Sequence, residues 1–209
     1  MPPSNQQRRD DITDAAVEIV QRDGLHGLSH RAVDEEAGVP RGTTSNYFRS
    51  REALLGATAR RIVELHFALI EEVRAQHTRE PGKTNTIELL SSVVDQALSR
   101  FPGRYLTMFE LSLESTRRPE LRREFARITD ESMKLTQEAH INGGDEPSRQ
   151  DVELLNAFYN GVLFTSLVMP QTMGGRSPGE ITRAMLELVL ETDSPGVTPV
   201  RRKPKQRRG

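Results

Sequence analysis

From Gly42 to Asn46 the chain reads Gly-Thr-Thr-Ser-Asn, five residues with nothing apolar larger than a threonine methyl. Hydroxyls and a carboxamide at this density can contact phosphates and base edges; Asn can pair with adenine and a Thr methyl can meet the thymine methyl. Arg41 stands before them with a cation for guanine or phosphate. Tyr47 follows with a phenol for phosphate, and Phe48 is suited to a core. A helix face bathed only in water would show the same residue types. A second possible chemistry is acid–base: Glu110 and Glu114 are four apart and share a helix face, with His66 on another helix, as a paired-carboxylate hydrolase would need. No nucleophile, Gly-rich phosphate loop or ligand cluster accompanies them, and His26, His30, His77 and His140 are scattered. The expectation is no catalytic residue, no metal and no cofactor.

The elements that must position these residues read as helices throughout. Ile12, Ala15, Ala16, Ile19 and Val20 recur with helical spacing, and Gly24 stops that helix. Ser29 caps a short helix that turns Ala32, Val33 and Ala37 inward and ends at Gly38, where Pro40 pushes Val39 out of the helical region. A second short helix covers about residues 41–48. From Ser50 a long helix runs to about Gln76, with Leu55, Ala59, Ile62, Leu69 and Val73 as its buried stripe. Further helices follow, with Ile87, Leu90, Val93, Ala97 and Phe101 marking one before Pro102-Gly103, Leu106, Phe109 and Leu113 the next, and Leu121, Phe125, Ile128, Leu135 and Ala139 a third. Ser148 caps a helix that becomes apolar all round from Phe158 to Met169, and Ile181, Ala184, Met185 and Leu188 mark the last. No alternating strand pattern appears. The fold class is all-α with about nine helices, in two parts over 1–55 and 56–194 followed by a tail over 195–209.

Composition narrows the class. The chain has 209 residues, 35 % hydrophobic and 28 % charged, and no Cys, so disulfides and thiolate chemistry are excluded. The longest apolar run, Gly161–Met169, is too short to span a bilayer, and the N-terminus lacks a signal-peptide core, so a cytoplasmic protein without membrane contact is expected. The net charge of −1 conceals six cations in the last ten residues (Arg201, Arg202, Lys203, Lys205, Arg207, Arg208); without them the body carries −7. Such a tail, broken by Pro199 and Pro204, is expected to be disordered, either solvated or touching phosphates without choosing sequence.

Two short helices joined by a Gly-containing turn make a helix-turn-helix, whose second helix enters the major groove. "LSHRAVDEEAGVPRGTTSNYFRSREALL" resembles the DNA-binding domain of the tetracycline-repressor family of bacterial regulators. Ser29 falls where that family starts a helix with Thr, and Ala37-Gly38-Val39, Gly42, Tyr47-Phe48, Ser50, Glu52 and Leu54 match its pattern. Arg41 and Arg51 keep its positive charges. Pro40 replaces a usual Ser, Ser45 replaces the first aromatic of a pair, and Thr44 stands where an apolar residue is common.

The resemblance implies a homodimer that binds a double-stranded, palindromic DNA operator and is released by a small-molecule effector. A regulator without an effector, activators included, is the alternative, and a small helical enzyme a remote one. The DNA-facing set is then Ser29, Arg31, Arg41, Gly42, Thr43, Thr44, Ser45, Asn46, Tyr47 and Arg51. Phe101, Tyr105, Phe109 and Phe125 are the pocket candidates, with Glu110 as a polar anchor. Leu155, Phe158, Val162, Met185 and Leu188 are expected to meet their two-fold copies.

Overall fold

The computed structural model describes residues 4–76, 83–142 and 148–191. Among them are nine α-helices and one 3-10 turn, and no strand: α1 (Asn5–Gly27), α2 (His30–Glu36), α3 (Thr43–Tyr47), α4 (Arg51–Gln76), α5 (Lys83–Arg100), α6 (Pro102–Ser115), α7 (Pro119–Asn142), α8 (Arg149–Val168) and α9 (Pro178–Glu191). The basic tail lies outside the described residues.

Capping explains most of the helix starts. Ser4, Ser29, Ser50 and Ser148 each accept a backbone N–H three residues on, and Asp151 returns the bond to the Ser148 amide, closing a capping box. Gly24 breaks α1 near its end, with φ 71° and ψ −179°. The start of α9 is held by Asp95 of α5, which accepts the Gly179 N–H at 2.7 Å. A Cβ at Gly179 would lie 2.8 Å from the Ser91 carbonyl oxygen, so this contact requires glycine.

Two apolar cores are strung along α4. The first joins Ile12, Ile19 and Val20 of α1, Val33 of α2, Phe48, and Leu54, Leu55 and Ile62 of α4. It also takes in Leu111, Leu121 and Ile128, so α6 and α7 pack under the three N-terminal helices. The second core holds Leu69, Ile70 and Val73 of α4 against Val93, Val94 and Ala97 of α5 and Val162 and Leu163 of α8. At 26 residues α4 is about 39 Å long, enough to serve both. Salt bridges tie it to α7 and the turn before it: Arg60 with Glu124 (2.6 Å) and Glu131, and Arg118 with Glu52 (2.8 Å).

The expected buried stripe of α6 is out of phase. Leu106 and Leu113 are exposed, whereas Tyr105, Thr107, Leu111 and Ser115 are buried. This helix meets α1, α4, α7 and α8, and small residues such as Thr107 and Ser115 allow that close approach. An apolar count alone cannot detect such a face. Leu135 of α7 is likewise exposed.

Candidate nucleic-acid interface and ligand cavity

A buried carboxylate organises the helix-turn-helix. Asp34, on α2, accepts the Gly42 N–H and the Thr44 N–H, both at 2.7 Å. Its carboxylate thereby closes the turn between α2 and α3 and caps the first amides of α3. Gly42 adopts φ 87°, a left-handed conformation that favours glycine. His30 Nε2 lies 2.6 Å from the Phe48 carbonyl oxygen, fixing the other end of α3 to α2. Burial alone would raise the Asp34 pKa, but hydrogen bonds from Thr44 and Gly42 and the His30 charge outweigh it and hold the carboxyl below its ordinary range.

With α3 so anchored, Arg41, Gly42, Ser45 and Asn46 are exposed along one edge, with Thr43 and Tyr47 half-buried. Thr43 donates to the Pro40 carbonyl at 2.5 Å and Ser45 to the Gly42 carbonyl at 2.9 Å, so both hydroxyls keep lone pairs for an outside donor. Arg9 of α1 lies over the Phe48 ring (5.0 Å) and near Tyr47 (5.9 Å), bringing a cation to the same edge. Arg31 extends from α2, paired with Glu35 at 3.0 Å on an exposed surface where such a pair is worth little.

Two members of the expected DNA-facing set face inward. Thr44 is fully buried, its methyl and hydroxyl turned into the helix-turn-helix core. Its place in the motif, where an apolar residue is common, was the signal for this. Arg51 donates to the carbonyls of Leu28 and Leu25 (2.6 Å to the latter), so its guanidinium clasps the α1–α2 connection to α4. Ser29 is exposed but spends its hydroxyl on the Ala32 amide.

Between α4, α5, α7, α8 and α9 lies a mostly apolar cavity of about 90 Å³, partly open to solvent. His66, Phe67 and Ile70 of α4 form one wall, and Tyr159, Val162 and Met185 stand among those opposite. His66 Nδ1 is 2.9 Å from the Tyr105 hydroxyl, and its ring is 5.5 Å from that of Tyr159. Burial, helped by the Arg104 charge, pushes the His66 pKa down to about 4, so the imidazole is neutral at physiological pH.

A family model described as "Tetracyclin repressor-like, C-terminal domain" matches residues 81–192, more than half of the chain, and one described as "Bacterial regulatory proteins, tetR family" matches residues 12–58. The chain belongs to the tetracycline-repressor family. It is 38 % identical over 56 residues to the HTH-type transcriptional regulator BetI of Vibrio vulnificus, a match that spans 27 % of this chain and only 28 % of that relative. Among solved structures, the multidrug binding protein EbrR complexed with ethidium is 27 % identical, with TM-score 0.66 over 87 % of this chain and 98 % of the other. A family member (SCO1917) from Streptomyces coelicolor A3 is 26 % identical, with TM-score 0.67 over 88 % and 98 %.

In this member of the tetracycline-repressor family none of the five expected pocket residues lines the cavity. Tyr105 stands behind His66, Phe109 packs edge-on against Phe164 at 5.2 Å, and Phe125 joins the first core. Phe101 is covered by Arg104 (4.1 Å) and Arg100 (4.9 Å) away from the cavity. Glu110 sits beside the Gly24 kink of α1. Phe101 instead borders a separate hollow with Asp14, Gln21 and Arg104, and periodicity alone does not say which side of a helix meets a void. The acid–base constellation is not assembled either. Glu114 pairs with Arg118 at 2.5 Å, which lowers its pKa, the opposite of what a general acid needs.

The expected dimer set also divides. Leu155 and Val162 are buried within the protomer, in the cores that α8 shares with α5 and α9. Leu188 is 69 % exposed, and Leu154, Phe158, Phe164 and Val168 of α8 are exposed as well, while Met185 is half-buried against the cavity. Of the expected set, Phe158 and Leu188 are exposed, whereas Leu155 and Val162 are buried.

Proposed function

We propose that this chain is a dimeric repressor of the cytoplasm that holds a palindromic DNA operator through α3 of each protomer and releases it when a small molecule fills the cavity. The observation that carries this reading is the span of α4. Leu54 and Leu55 at its start pack in the core that supports α2 and α3, while His66, Phe67 and Ile70, about three to four turns on, face the cavity. A ligand that widens the cavity displaces α4, and α4 carries the helix-turn-helix with it. By linkage the ligand and the operator then weaken one another's binding by the same factor. That EbrR, with a similar fold, is a multidrug binding protein supports a small-molecule role for this cavity.

The DNA-facing set in this proposal is Arg41, Gly42, Thr43, Ser45, Asn46 and Tyr47, with Arg31 and Ser29 beside it. Arg41 is 76 % exposed at the side chain and its nearest carboxylate, Glu35, is 3.9 Å away, so it is free to leave for a phosphate or guanine. Arg41→Ala is expected to weaken operator binding by about 1–3 kcal/mol with unchanged helix content, measured by fluorescence anisotropy and circular dichroism. The effector step is tested in the same assay. Any compound that raises the melting temperature through the cavity must also lower the operator-bound fraction. A cavity ligand that leaves DNA affinity unchanged favours the alternative, a regulator without an effector.

A further inference from the structure

Five polar side chains line the cavity, and four of them already make a hydrogen bond within the protein, His66 through Nδ1 rather than Nε2 and Asn156 through Oδ1 rather than Nδ2. Thr136 donates to the Ser132 carbonyl and Thr182 to the Pro178 carbonyl, both at 2.9 Å; Asn156 accepts from the Asn160 amide at 3.1 Å; and His66 is bonded to Tyr105. The fifth, the Tyr159 hydroxyl, is buried with no hydrogen-bond partner. A phenol left so is costly, because its bond to water is lost and nothing replaces it. No described lining residue carries a charge. The charge felt at His66 is the Arg104 cation, which opposes a second positive charge there.

We infer that the cavity takes an uncharged, mainly apolar molecule bearing one oxygen that accepts a hydrogen bond from the Tyr159 hydroxyl, an inference that rests on the effector reading of the cavity. An organic cation would be desolvated here with no carboxylate to meet it. At about 90 Å³ the void is smaller than the roughly 150 Å³ cavity that suffices for benzene, so even a single ring must part the walls. For the ligand oxygen to reach the buried Tyr159 hydroxyl, the wall that Tyr159 forms must be among those that part. Because the Tyr159 ring rests against His66 of α4, seating the ligand oxygen there pushes on the helix that carries the DNA-binding elements.

Three single-ring probes of similar shape separate the possibilities in calorimetric titrations of the full-length protein: acetophenone, its hydrocarbon counterpart α-methylstyrene, and benzylammonium. Acetophenone is expected to bind about ten-fold tighter than α-methylstyrene, the worth of one hydrogen bond, and benzylammonium more weakly than either. Tyr159→Phe should erase the ketone's advantage, and its ligand-free melting temperature should equal or exceed that of wild type, since an unpartnered hydroxyl has been removed. The inference is overturned if benzylammonium binds as tightly as acetophenone to wild type, or if the ketone keeps its advantage in Tyr159→Phe. Should benzylammonium bind and displace operator DNA, the effector reading stands and this inference alone falls. If no probe binds and none moves the protein off DNA, both fall.

Discussion

Asp34→Ala is expected to abolish operator binding and to destabilise the N-terminal helices by about 3 kcal/mol. The carboxylate satisfies two amides, Gly42 N–H and Thr44 N–H, in a site that is 2 % exposed. Removing it strands both donors, at roughly 1–3 kcal/mol each, and leaves a small void beneath α3. A five-residue helix cannot hold its own shape without such an anchor, because nucleating a turn is itself unfavourable. Urea unfolding gives the stability change and anisotropy the loss of binding. Wild-type values for both would show that α3 is positioned by something else. The effect also has a pH signature. The folded-state pKa of Asp34 lies below its unfolded value near 3.9, so its ionised form contributes fully above that value, and the contribution is lost as pH falls through the folded pKa. Asp34→Ala should therefore flatten the acid limb of the stability curve below about pH 4.

Leu188→Glu is expected to convert a dimer into monomers and to lower operator affinity by about 10²–10⁴. Leu188 protrudes from α9 at 69 % exposure and does not line the cavity, so its replacement leaves the cavity walls alone. Phe158, by contrast, both lines the cavity and is exposed, and a change there would confuse the two roles. In a two-fold interface each substitution is buried twice, and two unpaired carboxylates in an apolar contact cost more than the leucines they replace. A monomer reads one half-site and loses the effective concentration that linking two of them provides. Sedimentation of wild type and variant at micromolar concentration measures the assembly. A monomeric wild type, or a dimeric variant that binds DNA normally, would place the interface elsewhere.

The sequence announces its helices well because their signals are local. Ser29, Ser50 and Ser148 are caps whose bonds reach only three residues, and the α4 stripe repeats with helical spacing, so short-range chemistry specifies both. The turn before α3 is legible from Gly38 and Pro40, but its keystone is not. Asp34 lies eight and ten residues from the amides it holds, among Glu35 and Glu36, and nothing in its type distinguishes a buried acid from a solvated one. Arg51 has the same ambiguity: its charge fits a phosphate as well as the carbonyls of Leu25 and Leu28, 26 and 23 residues away. The cavity was least legible of all. Its walls come from five helices, and a void is a property of how those helices fail to meet, which no single stripe records.

The central claim, that two copies of α3 read a two-fold DNA sequence, is tested most directly by sequencing the genomic fragments retained by purified full-length protein, with Arg41→Ala run in parallel. The account predicts one enriched palindrome whose half-sites are centred about one helical turn apart, and its loss or dilution with the variant. Retained fragments without a shared two-fold sequence, or an identical palindrome recovered at equal yield with Arg41→Ala, would contradict it.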